Sequence, residues 1–197
     1  MAASNSLTRD QYLDSLRQLS AAADSLAERF SMKQLTWQPP IPGKDGADTG
    51  WSMLECLDHI AVATQVYLDA MEPAIGNANR AGAPAGVFRA AGAPSAWFIG
   101  TLEPPPSKKV PAPGKIRPRP TLNPEGVLPQ FQKAIDRVAM LVNSTAGKDL
   151  NAVRFRNPLV PLVRFTVSSG FVIIAAHARR HLWQAEQVAK HSGFPVN

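Results

Sequence analysis

Apolar residues recur at three- and four-residue steps in four separate stretches of this chain. That period fits one buried stripe of an α-helix and suits no strand, so it constrains the fold more than any other feature. In the first stretch the stripe is Leu13, Leu16, Leu19, Ala23, Leu26, Ala27 and Phe30. Ahead of it, Thr8 and Gln11 fit a capping box and Leu7 with Tyr12 a hydrophobic staple, predicting a helix that ends before the turn-forming run WQPPIPGKDGADTG. A second capping box, WSMLE at Trp51–Glu55, opens a helix with Val62, Ala63, Val66, Tyr67 and Ala70 on its apolar face, running to about Ala74.

Ten of the eighteen prolines lie between Pro84 and Pro124, and a stretch such as LEPPPSKKVPAPGKIRPRP cannot hold a regular helix. Residues 80–123 are therefore expected to form one long Pro/Gly-rich loop between the second and third helices. Asn123, Pro124 and Glu125 supply an N-cap, a first-turn proline and an early acid for the third helix, with Phe131, Ile135, Val138, Leu141 and Val142 facing inward; Pro129 delays or kinks its start. The fourth is expected from about Val167 to His191. Four amphipathic helices with no convincing strand set predict an all-α chain, an antiparallel four-helix bundle, and no internal repeat is visible.

At 197 residues and 45% hydrophobic composition the chain can bury one core, so residues 1–197 read as a single domain. Cys56 is the only cysteine, which excludes an internal disulfide. With no signal-like start and no long apolar run, the expectation is a soluble cytoplasmic protein without a membrane partner. Residues 1–79 carry five Lys/Arg against ten Asp/Glu, and residues 80–197 carry sixteen against five. The basic half could attract an anion, yet it holds no helix-turn-helix or RNA-binding signature, which argues against a nucleic-acid partner.

Two of the four histidines, His177 and His181, are one helical turn apart in HARRHLWQAEQ. On a helical projection both lie on the apolar side of the fourth helix, and His59 sits at the centre of the apolar face of the second. Buried imidazoles are costly without partners, and a bundle can bring such faces to one level of its core. Three neutral imidazoles are a common shell for a catalytic divalent metal, provided their nearest nitrogens approach within about 6 Å. Packing histidines in an ordinary core is the competing explanation. Glu55 could be a further ligand or base, although the capping box explains it; Cys56 reads as a small buried hydrophobe. Gln184 could hydrogen-bond a ligand histidine or line the pocket mouth, Tyr67 could add a hydroxyl or belong to the core, and His191 fits the C-terminus of the last helix. There is no phosphate loop, nucleophile elbow or glycine-rich dinucleotide turn.

WSMLECLDHI followed much later by FVIIAAHARRHLWQAEQV resembles the DinB-like superfamily, also called the DinB/YfiT-like metalloenzymes. The matching positions are Trp51, Ser52, Glu55, His59, His177, His181 and Gln184, with KIRPRPTLNP and Asn157 as further family-like features. The resemblance implies an up-down-down-up bundle, a divalent metal on His59, His177 and His181, and often a homodimer. It also implies a small-molecule substrate and a choice of activities, transfer of a low-molecular-weight thiol to an electrophile or hydrolysis, with many relatives of no known reaction; the competing reading from another class is a metal- or ligand-binding module without turnover in a stress response. Imidazole donors suit zinc, nickel, copper and iron, with zinc or nickel expected and a small thiol as possible second cofactor. In the enzyme reading Lys115, Arg117 and Arg119 of the loop would meet an anionic thiol or substrate.

Overall fold

The computed structural model describes residues 6–41, 49–77, 87–106, 111–160 and 162–196. Its four long helices are α1 (Arg9–Arg29), α3 (Met53–Gly76), α5 (Pro124–Ser144) and α6 (Val167–Val188), with one four-residue turn of helix, α2 (Met32–Leu35), after the first. The expected caps form at Thr8 with Gln11 and at Ser52 with Glu55, each pair exchanging both capping bonds. Asn123 occupies the N-cap of α5 but its side chain makes no capping bond. A cap at Thr166, whose hydroxyl accepts from the Ser169 amide, starts α6 where the apolar period begins.

α1 and α3 each pack against both α5 and α6, so the four apolar stripes meet in one core. Tyr12, Phe131, Phe171, Leu68 and Met71 lie at its centre with no exposed surface. No described helix is long and apolar enough to cross a membrane.

The structure corrects the expectation of one uninterrupted loop over 80–123. Among its described residues Gly92–Leu102 form a helix, α4, while residues 80–86 and 107–110 lie outside the described set. Pro94 falls in the first turn of α4, where a missing amide donor costs nothing. The helix docks on the bundle: Phe98 stacks on Phe165 at 5.5 Å between ring centroids, and Arg180 donates to the Thr101 carbonyl at 2.7 Å. Its short apolar sequence has no polar face, so no periodicity announces it.

A second correction is a small antiparallel hairpin, β1 (Arg154–Arg156) with β2 (Arg164–Thr166), pairing Phe155 with Phe165. Strands of three residues are too short to show a two-residue period. Phe155 turns inward against the start of α6, and Gly170 lets it approach. A Cβ on Gly170 would stand 2.7 Å from Met71 Sδ and 2.8 Å from Phe155 Cε1, so no larger side chain fits without displacing an aromatic ring. The adjacent hydroxyls of Ser168 and Ser169 are buried but satisfied by the backbone of residues 87–91, including bonds from the Arg89 and Ala91 amides of 2.8 and 2.9 Å.

Candidate metal centre

The capping box that starts α3 places His59 two turns into the helix, and the antipodal stretch of α6 carries His177 and His181. Their ligand-competent nitrogens all lie within 4.8 Å of one another. His59 Nε2 and His177 Nε2 are 3.0 Å apart, and the ring centroids of His59 and His181 are separated by 4.3 Å. A tetrahedral ion with bonds of ~2.1 Å holds its nitrogens ~3.4 Å apart, so the three rings fit around one cation with small adjustments. Trp51 covers one side of the cluster, its ring 4.7 Å from that of His59 and 5.7 Å from that of His181. His59 and His181 are buried, and His177 is partly exposed.

The outer partners decide which nitrogen faces inward. His59 Nδ1 is bonded to the carbonyl oxygen of Ile116, an acceptor only, so that nitrogen carries the proton and Nε2 presents its lone pair. His181 Nδ1 meets Gln184 Oε1 at 3.0 Å, and the same assignment leaves its Nε2 free. Two rings thus offer oriented, unprotonated nitrogens, the state in which imidazole binds a metal.

Electrostatics push the same way. Burial lowers the pKa of His59 to about 4, against smaller opposing effects from the Ile116 carbonyl and Asp58. Burial and the neighbouring His59 lower His181 to about 3, and burial with His181 and His59 places His177 well below its ordinary value. In the metal-free protein the unfolded chain, with ordinary imidazoles, therefore binds more protons than the folded one below about pH 6.5. Stability should be full above that pH and decline as the pH falls toward the folded value of about 4 for His59. Urea unfolding of the metal-free protein at pH 7 and pH 5 checks this; equal stabilities would show that the cluster accepts protons freely while folded.

The other sequence candidates separate. Glu55 caps α3 and accepts two bonds from Gln38 Nε2 at 2.9 and 2.8 Å, so it is committed to holding the chain entry and not to the histidines. Gln184 is part of the cluster through His181. Tyr67 is buried eight residues beyond His59, ~12 Å along the helix axis, and its hydroxyl, with a pKa raised to about 12 by burial, meets Asn157 instead. Burial also pushes the Cys56 thiol well above its ordinary range, which suits a core residue and not a nucleophile. His191 lies just past α6, packs on Trp37 and accepts from the Gly193 amide at 3.1 Å, organising the turn after the helix.

Sequence reasoning missed Asp58 and Ile116 and gave Arg119 a different task. Arg119 donates to the buried Asp58 carboxylate from its backbone amide and its guanidinium, so it faces α3 instead of awaiting an anion. The signal was an acid directly before a candidate ligand.

Comparison with known proteins matches residues 13–185 to the family model of the DinB superfamily. The chain belongs to the DinB superfamily. Among solved structures this DinB-superfamily chain is similar to YfiT from Bacillus subtilis, with a TM-score of 0.58 and 16% sequence identity over 95% of this chain and 89% of that one. That protein is described as a probable metal-dependent hydrolase with an unusual four-helix bundle topology, and at this identity the likeness establishes the fold. No curated protein matches the sequence.

Proposed function

We propose that His59, His177 and His181 hold one divalent cation and that the protein is an enzyme delivering a small protic nucleophile, a low-molecular-weight thiol or water, to a small electrophile. The observation that carries this reading is the convergence of the three imidazoles, two of them with Nδ1 tied to an outer partner and Nε2 turned inward. A cation bound there supplies Lewis acidity, lowering the pKa of a coordinated thiol or water toward neutrality. The protein's own part is to keep the rings neutral and fix their direction. Three protein ligands suit a catalytic site, since a closed structural zinc site takes four. Thiol transfer is one of the activities that the family resemblance implies, and hydrolysis is the activity in the description of YfiT.

Lys115 and Arg117 flank Ile116 and remain exposed, so an anionic substrate would meet these two and not Arg119. We place the reaction in the cytoplasm, where small thiols are kept reduced. The same reading takes the helices as up-down-down-up, because Tyr12 at the start of α1 bonds Phe171 near the start of α6, His59 in the first half of α3 meets His181 in the second half of α6, and Lys148 just past the end of α5 donates to the Ile75 carbonyl at the end of α3. It also takes two copies to pair through their oppositely charged halves, and a solution mass of one 21.2 kDa chain at all concentrations would contradict that.

The test is stoichiometric loading with zinc or nickel followed by turnover assays with model electrophiles and activated esters, with and without a panel of small thiols. Thiol-dependent turnover supports transfer and thiol-independent turnover supports hydrolysis. Uptake of one ion per chain with neither would leave a non-catalytic binding module, and no uptake would remove the metal reading.

A further inference from the structure

Two consecutive residues of α3, Asp58 and His59, grip the same short segment of the loop that precedes α5. His59 Nδ1 donates to the Ile116 carbonyl at the end of a 3-10 turn spanning Gly114–Ile116. Three residues later the Arg119 backbone amide donates to Asp58 Oδ2 at 2.7 Å, and its Nε to Oδ1 at 2.8 Å with Nη2 alongside. Asp58 is wholly buried, while the Arg119 side chain is 43% exposed. Between and beyond these anchors stand Pro118 and Pro120, and Arg117 is extended at φ −63° and ψ 153°. Prolines hold their own φ and keep the preceding residues extended, so the segment is a stiff strut in which the position of one end sets the position of the other.

We propose that Arg119, clamped on Asp58, is a positioning residue for the metal centre: it holds the Ile116 carbonyl against His59 and so keeps the His59 proton on Nδ1 and its lone pair on Nε2. This rests on the metal reading for its consequence but not for its geometry. The carboxylate needs the arginine because a buried charge without a partner is costly, and Arg119 satisfies it in one fixed direction, with Nε and Nη2 both on Oδ1 and the backbone amide on Oδ2. Lysine would keep the charge and lose the fork. Removing the guanidinium leaves one amide to carry the anchor, and the Ile116 carbonyl is then free to drift from His59. An imidazole released from its acceptor partitions between tautomers, and loss of such an outer partner typically weakens metal binding ~10–100-fold.

The experiment uses the full chain with Arg119→Ala and Arg119→Lys. Ring ¹⁵N shifts of His59 in metal-free protein report its tautomer, zinc competition against a chromophoric chelator reports affinity, and thermal unfolding reports stability. Wild type is expected to show His59 protonated at Nδ1 alone. Arg119→Ala should show both tautomers and zinc binding weaker by ~10–100-fold, with Arg119→Lys between the two. A tautomer ratio unchanged in Arg119→Ala overturns the proposal, whatever happens to the melting temperature. If Arg119→Ala does not fold, Arg119→Lys against wild type gives the same decision. Wild type that takes up no zinc would sink the metal reading alone, since the tautomer comparison is made without metal.

Discussion

Replacing His177 by alanine is expected to weaken zinc binding by more than about a hundredfold, beyond the usual effect of losing an outer partner, and to abolish metal-dependent turnover. The bundle should remain folded. His177 is the partly exposed member of the three, its described polar contact is to His59 Nε2 at 3.0 Å, and alanine has the best helix propensity for its place in α6. Two imidazoles alone leave a divalent ion with too few protein ligands to compete with chelators. Isothermal titration of both proteins with zinc, beside far-ultraviolet circular dichroism, reads affinity and fold separately. Tight one-to-one binding retained by His177→Ala would mean that the ion sits elsewhere.

The largest loss of stability is expected from Phe171→Ala, about 3–5 kcal/mol, the range for removing a buried aromatic ring and leaving a cavity. Phe171 has no exposed surface and meets Tyr12 and Phe88 edge-on at 5.8 and 5.5 Å. Those two rings stack on each other at 4.6 Å, so the cavity would open among aromatic faces that cannot readily collapse into it. For a domain of this size that loss corresponds to a fall in melting temperature of roughly 6–20 °C. Urea unfolding gives the free energy directly, and a loss below about 1 kcal/mol would show that the aromatic cluster is loosely packed. Metal affinity should change little, because Phe171 lies more than a helical turn before His177.

These outcomes depend on different levels of information in the chain. The spacing of apolar residues determined the four long helices, and Thr8 with Gln11 and Ser52 with Glu55 determined where two of them start, since capping is a bond between residues three apart. The inward direction of His59, His177 and His181 was legible for the same reason: a helix turns each side chain by a constant angle, so neighbours in sequence reveal the face. Helix α4 and the hairpin were not legible. The first is apolar all round and the second has three-residue strands, so neither displays a period, and both exist because Phe98, Phe155 and Phe165 find a surface already built by the bundle.

Glu55 and Arg119 show the remaining division. Sequence allowed Glu55 to be a ligand or a cap and gave Arg119 an anionic thiol or substrate as its partner. Only the tertiary structure brings Gln38 onto Glu55, Asp58 onto Arg119 and Ile116 onto His59, contacts spanning 17, 61 and 57 positions. Local bonds follow from helical geometry and can be read in order along the chain, whereas contacts of that span depend on how the connecting segments pack, which no local period encodes.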